Sequence, residues 1–335
     1  MIAMKTGKLN IRWHIVLLFL PIFAGFVCLC IGRIHIHPTE VLGAITGDPQ
    51  VSVMTRMTIW NLRLPRILLA ALAGAGLSVA GCTFQSLFSN PLATPDTLGV
   101  ASGASFGAAL GLLFGLPILG VQLTALLMGG AAVAMTWLAG SGKSRGLSTV
   151  VLAGIMMGSL FNAMVSLVKF MADEESQLPA ITHWLMGGLN NAAFETLLMG
   201  APPILAGLLT LYLLRWRMNL LPLSEDEARS SGVNISVLRG VTVICATMIT
   251  ASCVSMCGQV GWIGLLVPHT CRMKFGSNHL SLLPASISFG ATFLIIVDTV
   301  ARSASAQEIP ISILTAIIGA PFFIILMRKS GGWSL

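Results

Sequence analysis

Long apolar stretches without charged residues constrain this chain more than any other feature. Residues 13–32 (WHIVLLFLPIFAGFVCLCIG) contain no Asp, Glu, Lys or Arg. A helix of about 20 residues is long enough to cross the roughly 30 Å hydrocarbon layer of a membrane. Charged residues make up only 9% of the chain, against about 25% in soluble domains. The sequence therefore predicts an all-α, polytopic membrane protein, because the strands of a β-barrel would alternate in polarity instead.

We predict about ten transmembrane helices in a single transmembrane domain, 1–335. Their predicted ranges are 13–32, 64–87, 98–116, 118–139, 148–171, 196–214, 240–257, 259–273, 281–300 and 311–327. The stretch 259–273 is short and broken by Gly and Pro, so the count can change by one or two. No small-residue cleavage site follows the first span, which indicates an uncleaved helix and not a signal peptide.

The basic residues predict the orientation. An even number of spans puts both termini on one side, and Lys and Arg favour the cytoplasm. With the termini inside, 13 of the 19 Lys and Arg residues are cytoplasmic. The six predicted outside are Arg33, Arg56, Arg63, Arg66, Lys169 and Arg302. We expect a multi-pass protein of the bacterial cytoplasmic (inner) membrane, and its net charge of +7 requires no nucleic acid partner, because topology explains most of it.

Two features near the outer boundary involve charge. Arg63 and Arg66 lie about one turn apart in NLRLPRILLA (61–70), directly before a long apolar run. Asp298 is one of few ionisable residues within a predicted span, and it lies four residues before Arg302. That spacing allows a pair on one helix face. The pair would either neutralise a buried acid or orient Arg302.

Glycines recur every four residues through the third predicted span. They are Gly99, Gly103, Gly107, Gly111 and Gly115. Glycines at this spacing form a smooth face on which another helix can approach closely. We interpret them as helix-packing positions, with a glycine-lined pathway as the alternative.

Three other motifs indicate no catalytic or metal site. GSGKSRG (140–146) resembles the end of a phosphate-binding loop, but Trp137 stands where that loop needs its first glycine. His35 and His37 alternate without a further ligand, and Cys253 and Cys257 fit apolar packing. No H-E-x-x-H motif or paired catalytic carboxylates occur within the spans. We therefore expect no metal, no cofactor and no ATPase site in this chain.

The longest predicted cytoplasmic segment is 215–239. Within it Ser224 and Glu227 fit the capping box S-x-x-E, and Pro222 and Gly232 bracket one short helix. Such a capped helix between two spans is either an ordered loop or a contact for a partner that transmits motion.

Five stretches, in consistent order along the chain, resemble the FecCD-type permeases, the membrane subunits of bacterial ABC importers for iron chelates and cobalamin. They are LRLPR (62–66), GAGLSVAGCTFQSLFSNPLATPDTLGVASGA (74–104), GWIGLLVPHTCR (261–272), DTVAR (298–302) and EIPISILTAIIGAPFF (308–323). The resemblance covers most of the chain from the second span onward. It implies a ten-span permease of the cobalamin-uptake type.

The resemblance also implies partners. Such a permease works as a homodimer, with the pathway at the dimer axis. Two ATPase subunits dock on its cytoplasmic face, and an extracytoplasmic substrate-binding protein docks on its outer face. ATP would be hydrolysed on the separate ATPase, so this chain is expected to be a transport subunit and not an enzyme.

Site residues follow from the resemblance by position. The arginines that meet acidic residues of the binding protein fall on Arg63, Arg66 and Arg302. The cytoplasmic gate falls on Asn90, Leu92, Ser148 and Thr149. The ATPase coupling helix falls within 222–232, on Ser224, Glu225, Glu227, Ala228, Arg229 and Gly232. There the sequence reads SEDEARSSG, which is more acidic at its start than the usual run of the family.

A ferric siderophore is the expected substrate, because that group is the commonest in the family. Haem, cobalamin and an oxyanion such as molybdate are the alternatives. An ion-driven secondary transporter is more remote, because such carriers usually place more ionisable groups within their spans.

Overall fold

The computed structural model describes residues 9–140, 147–223, 227, 230–305 and 307–329, and within these residues its regular elements are helices. Ten of the described helices have 13 residues or more. They are α1 (Ile11–Cys30), α2 (Leu64–Leu87), α3 (Val100–Leu113), α4 (Ile118–Gly140), α5 (Leu147–Met171), α6 (Phe194–Leu214), α7 (Ile235–Cys257), α8 (Ile263–Phe275), α9 (His279–Ser303) and α10 (Ile311–Lys329). Each overlaps one predicted span, so the predicted all-α class and the helix order are confirmed.

The helices differ in their capacity to cross a membrane. Seven of those described are long and apolar enough by length and composition, among them α1, α4 and α9. The helix α3 and the part of α10 at Ile311–Ile325 are shorter apolar helices. The helix α8 is shorter still, with 13 residues and a proline inside it, and it ends at Gly276, whose φ is 78°.

The helix α2 is the centre of the bundle. The most apolar part of the continuous helix Val53–Leu87, which contains α2, is 83% buried. The helix α2 packs against α9, α7 and α8. Two of its glycines make these approaches possible. A Cβ at Gly74 would overlap the carbonyl oxygen of Gly290, and a Cβ at Gly81 would overlap that of Gly264. Because glycine has no side chain, the backbones of the two helices come into direct contact. Such close van der Waals packing is how membrane helices associate, since the surrounding lipid is as apolar as the helices and provides no hydrophobic effect between them.

The glycines of α3 divide into two groups. Gly103, Gly107 and Gly111 face α4, and at Gly107 a Cβ would overlap the carbonyl oxygen of Thr124. Gly99 instead begins α3 in a left-handed conformation (φ 75°), which places it against Gly154 and Gly158 of α5. Gly115 also has a positive φ (65°), and a Cβ there would meet no atom within 4 Å. The close α3–α4 contact therefore uses three of the five glycines, and Gly115 serves a turn.

Shorter helices connect the long ones at both ends of the bundle. Pro38–Thr46 and a π-helix at Thr58–Arg63 precede α2, and Gln177–Leu185 lies between α5 and α6. We call the end that holds these connections the outer end, after the predicted orientation. The opposite, inner end holds the 3-10 helix Arg217–Leu220, and a further 3-10 helix, Pro95–Leu98, lies in the loop between α2 and α3.

Candidate functional site

The second membrane helix extends further upstream than the sequence indicates. A π-helix at Thr58–Arg63 joins an upstream helical turn to α2, so helix is continuous from Val53 to Leu87. Pro65 has no N–H group and cannot donate a hydrogen bond to the preceding turn. The π-helix ends just before Pro65, and its i→i+5 hydrogen bonds accommodate a turn that lacks this donor. Arg63 and Arg66 therefore lie within a helix and not at its boundary.

Arg66 is held by two carboxylates at the outer end. Its Nε donates to both carboxylate oxygens of Asp298, at 3.0 and 2.9 Å, and its Nη2 donates to Oδ1 of Asp298 at 2.8 Å. Its Nη1 donates to Oε2 of Glu308 at 2.8 Å. Asp298 is 1% exposed, so this ion pair is buried and joins α2 to α9 and to the α9–α10 connection.

Arg63 and Arg302 cap the end of α1. Arg63 donates to the carbonyl oxygen of Leu29. Arg302 Nη2 donates to the carbonyl oxygens of Cys28 at 2.6 Å and Ile31 at 3.0 Å. The last carbonyl groups of a helix carry partial negative charge and lack partners within the helix, so a guanidinium group there is favourable.

The predicted pair of Asp298 with Arg302 on one helix face is wrong. Asp298 is bonded by Arg66 from the neighbouring helix, while Arg302 turns towards α1. A guanidinium group that approaches from a facing helix can bond both carboxylate oxygens, which is the stronger geometry. The Nε of Arg302 is buried and has no hydrogen-bond partner in the described part of the chain.

The three arginines predicted to dock a binding protein line one cavity of about 300 Å³. Arg63, Arg66 and Arg302 are 5%, 9% and 8% exposed, so they lie together but are largely covered. Glu308 lines the same cavity with 27% of its side chain exposed. Sequence reasoning missed Glu308, although it is the first residue of EIPISILTAIIGAPFF and a charged group beside a predicted span. We call these four residues and Asp298 the charged cluster.

The loop after α2 carries two of the predicted gate residues. Ser89 has a φ of 49°, which turns the chain sharply where the helix ends. Oδ1 of Asn90 accepts the backbone N–H of Leu92 at 2.9 Å, and the Leu92 side chain is 43% exposed. Asn90 and Leu92 line a cavity of about 390 Å³ between this loop and α5, which we call the gate cavity.

Asp96 fixes the same loop to α3. Its Oδ1 accepts the backbone N–H groups of Ala101 at 2.8 Å and Ser102 at 3.2 Å, which lie in the first turn of that helix. Burial raises the pKa of Asp96, and the hydrogen bonds from Ser102 and Ala101 act in the opposite direction. Asp96 lines the gate cavity and also a second cavity behind the loop.

The opposite wall of the gate cavity is α5. Polar side chains form an exposed stripe along this helix at Ser159, Asn162 and Ser166, and Ser159 and Asn162 line the cavity. Ser148 and Thr149 are exposed at the start of α5 but do not line the cavity. The structure therefore brings Asn90 and Leu92 together with the middle of α5, and leaves Ser148 and Thr149 outside the cavity lining.

The second cavity has a volume of about 330 Å³. It lies where two of the stretches that resemble the family, 74–104 and 261–272, meet. Pro95 of the loop packs on Gly264 of α8, where a Cβ would lie 2.6 Å from the proline ring. Trp262 precedes α8 with a φ of 68°, an uncommon conformation for a bulky residue. Its side chain packs on Gly319 of α10, where a Cβ would lie 2.9 Å from the indole ring.

Hydrogen bonds that involve no carboxylate occupy the inner end of α2. Oγ of Ser86 lies 2.8 Å from Nε2 of His279, whose Nδ1 lies 2.9 Å from Oδ1 of Asn219. Asn219 Oδ1 also accepts the backbone N–H of His279, so Nδ1 must carry a proton and donate to the same oxygen. Gln85 donates to the carbonyl oxygen of Gly264 and accepts from Arg272.

Much of the predicted coupling helix lies outside the described residues, namely Ser224, Glu225, Ala228 and Arg229. Glu227 is described and exposed. Gly232 has a φ of 71°, as expected for a glycine that ends a helix. Asn234 then caps α7, because its Oδ1 accepts the N–H of Val237 at 3.2 Å. The predicted phosphate-loop-like motif also falls mostly on 141–146, outside the described residues.

The protein-family comparison covers nearly the whole chain. The model of the FecCD transport family matches residues 18–329. A molybdate import system permease protein of Haemophilus influenzae is 39% identical over 317 residues, which cover 93% of this chain and 94% of that protein. A Helicobacter pylori protein named as a probable iron chelatin transport system permease is 36% identical over 276 residues, which cover 82% of this chain and 83% of that protein.

The fold is also found in a solved transporter. A solved structure described as an inward-facing conformation of a putative metal-chelate type ABC transporter matches with a TM-score of 0.87 and 38% sequence identity. The match covers 96% of this chain and 100% of that chain. The charged cluster and both loop cavities lie within the range that the family comparison matches.

Proposed function

The chain belongs to the FecCD transport family and is an ABC importer permease, and on this premise we propose that it carries an iron chelate, with a ferric siderophore first. The cavities beside the predicted gate support a chelate over a small free oxyanion. The ionisable side chain among their lining residues is the carboxylate of Asp96, and neither cavity is lined by Lys or Arg. A divalent oxyanion would pass this carboxylate without a compensating cation, and like charges close together in a site of low dielectric constant repel strongly.

Molybdate is the second candidate, because the Haemophilus influenzae molybdate permease is 39% identical to this chain, against 36% for the Helicobacter pylori protein. The deciding experiment places the permease in proteoliposomes with its ATPase and its binding protein. ATP-dependent uptake of radiolabelled ferric siderophore supports the first proposal. Uptake of radiolabelled molybdate, and not of the chelate, replaces it with the second. Haem and cobalamin, tested in the same vesicles, are the remaining alternatives.

We also propose that two copies of the chain form a homodimer with the pathway between them. The polar stripe on α5 supports this arrangement. Ser159, Asn162 and Ser166 are exposed on a membrane helix, and polar side chains within a membrane normally face protein or a water-filled path. Cysteine substituted for Asn162 should form a crosslink between two chains. A cysteine at Leu198, which is 75% exposed on α6, is the matched control and should not crosslink.

The charged cluster supports docking of the extracytoplasmic binding protein through Arg63, Arg66 and Arg302. These residues line a cavity that opens at the outer end, and Glu308 occupies one donor group of Arg66 there. An acidic side chain of the partner would compete with Glu308 for this donor. The role therefore predicts that Glu308→Gln accelerates docking, most of all at low salt.

The docking test uses neutral substitutions. Reversing the charge of residue 66 with Arg66→Glu would place a third carboxylate beside Asp298 and Glu308 and damage the fold. Arg63→Gln keeps hydrogen-bonding capacity and removes one charge, so it should slow docking. The association rate, measured by surface plasmon resonance on the permease in nanodiscs at two salt concentrations, distinguishes these effects. Equal, salt-independent rates for both variants and the wild type would remove the docking role.

The inner end supports two further roles. We propose that Asn90 and Leu92 form the cytoplasmic gate with Ser148 and Thr149 from the start of α5. We propose that two ATPase subunits bind the segment 222–232, of which Glu227 and Gly232 are described.

Both roles require the inner end to face the cytoplasm, with both termini inside, in the inner membrane of a bacterium. Accessibility of a cysteine at Thr149 to a membrane-impermeant reagent, from inside-out vesicles only, tests this orientation.

A further inference from the structure

A series of side-chain hydrogen bonds crosses the inner end of the bundle and joins three separate elements. Asn219 lies in the 3-10 helix between α6 and α7, and His279 is the first residue of α9. Ser86 lies in the last turn of α2. The two contacts of His279 reach across 60 residues of the chain to Asn219 and across 193 residues to Ser86. The series is therefore a tertiary connection and not a local cap.

Asn219 attaches the connection between α6 and α7 to the start of α9. Its Oδ1 accepts the backbone N–H of His279 and lies 2.9 Å from the ring Nδ1 of the same residue. Its Nδ2 donates to Oδ1 of Asn278 at 3.1 Å. Met218 and Leu221, which flank Asn219, are fully buried. The connection is thus fixed to the bundle at this point, and a displacement of it is passed to the start of α9.

His279 continues the series to α2. Its Nε2 lies 2.8 Å from Oγ of Ser86, and both side chains are buried. Capping of α9 does not explain this ring, because Oδ1 of Asn278 already accepts the backbone N–H of Leu280 at 3.0 Å. Hydrogen bonds depend on distance and angle, whereas apolar contacts have no preferred direction. A buried ring bonded through both nitrogens therefore holds the α6–α7 connection and α2 at a fixed distance.

The loop that lines the gate cavity is attached to the same turn of α2. The backbone N–H of Asn90 donates to the carbonyl oxygen of Gln85 at 3.0 Å, and that of Ser89 donates to the carbonyl oxygen of Ser86 at 3.3 Å. Ser89 has a φ of 49°, and residues in such sparsely populated conformations are concentrated at switch regions. A shift of Ser86 is therefore a shift of the point from which this loop starts.

We propose that Asn219, His279 and Ser86 transmit movement of the ATPase-bound segment 222–232 to the loop after α2. This inference rests on the proposed function, which assigns the ATPase contact to that segment and the gate to Asn90 and Leu92. The segment follows the 3-10 helix that holds Asn219. The three side chains act through the loop, so they are positioning residues and need no contact with the substrate. We call them the linking residues.

The test measures movement at the gate cavity directly. Ser159→Cys places a reporter thiol at an exposed position that lines this cavity. The permease is assembled with its ATPase in proteoliposomes, and the rate of labelling by a water-soluble maleimide is measured with and without ATP. The same samples give the rate of ATP hydrolysis, and the chain without the reporter gives the background labelling. No substrate is added, so the readout does not depend on whether the substrate is a chelate or an oxyanion.

The variants interrupt the series at its two ends. Asn219→Ala, Ser86→Ala and the double variant are made in the reporter chain. Ser281→Ala is the matched control, because Ser281 is a buried serine in the first turn of α9. Its Oγ donates to the carbonyl oxygens of Phe275 and Asn278 and bonds none of the linking residues.

ATP should change the labelling rate of the reporter chain by at least a factor of about five, the lower end of the usual coupling between two sites. Asn219→Ala and Ser86→Ala should each lose most of this change and still hydrolyse ATP. Ser281→Ala should retain it. The double variant should lose no more than the more severe single variant, because substitutions within one network are not additive.

A full response to ATP in Ser86→Ala would overturn the link, and this variant removes only one hydroxyl group if Asn219→Ala does not assemble. Losses that multiply in the double variant would show two independent contributions and no link. An equal loss in Ser281→Ala would assign the effect to general destabilisation. A reporter chain that hydrolyses ATP without any change in labelling would remove the proposed gate, and the link with it.

Discussion

The two ends of α2 are stabilised by different chemistry. At the outer end Arg66 pairs with Asp298 and Glu308, and Arg63 caps α1. At the inner end Ser86 and Gln85 take part in hydrogen bonds in which no carboxylate is involved. Breaking a buried ion pair leaves a charge without compensation, whereas breaking a neutral hydrogen bond leaves only a dipole. The outer end is therefore more sensitive to substitution.

The largest expected effect comes from Asp298→Asn. Removing this carboxylate leaves Arg66, which is 9% exposed, with Glu308 as its charged partner. Loss of one member of a buried ion pair costs about 3–5 kcal/mol. The free energy of unfolding, measured by SDS titration in mixed micelles, checks this value.

Glu308→Gln is the matched control for that substitution. It removes a carboxylate from the same arginine, but the Glu308 side chain is 27% exposed. Partly exposed ion pairs contribute about 0–1 kcal/mol. If Asp298→Asn and Glu308→Gln lower the free energy of unfolding equally, burial of an ion pair does not determine how much it stabilises the outer end. The comparison between the two ends of α2 would then fail.

The middle of α2 provides the next test. Gly81→Ala places a methyl group on the carbonyl oxygen of Gly264, so α2 and α8 must separate. Overpacking of this kind costs about 1–3 kcal/mol. Gly130→Ala is the control, because a Cβ there meets no atom within 4 Å, and alanine favours helix by up to about 1 kcal/mol. Thermal unfolding in detergent should rank the wild type between these variants.

The sequence predicted the helices better than the contacts. Each apolar run became one helix because a backbone in lipid must form its own hydrogen bonds, and the period-four glycines indicated a face of α3 on which another helix packs. The partner of Asp298 was not predictable from i, i+4 spacing, since Arg66 is 232 residues away along the chain. The π-helix before Pro65 was likewise missed, because the sequence signal of a proline at this position is that of a helix start.

Ser86→Ala tests the inner end. The substitution leaves Nε2 of the buried His279 without its partner, while Nδ1 remains bonded to Asn219. An unsatisfied buried group costs about 1–3 kcal/mol. Thr46→Ala, at an exposed position whose hydroxyl group donates to the carbonyl oxygen of Leu42 in its own helix, should change the free energy of unfolding little. A loss for Ser86→Ala as large as that for Asp298→Asn would contradict the distinction between an end with buried ion pairs and an end with hydrogen bonds alone.

The smallest effect concerns an exposed acid outside the spans. Hydrogen bonds from the hydroxyl group and backbone N–H of Ser176 lower the pKa of Asp173. A carboxyl group with a lowered pKa in the folded state stabilises the fold above its unfolded pKa, and this contribution is lost as the pH falls through the folded pKa. Asp173→Asn should therefore have a slightly lower melting temperature than the wild type at neutral pH. The difference should disappear at acidic pH, and a difference that persists below the folded pKa would show that Asp173 acts through its hydrogen-bonding geometry and not through its charge.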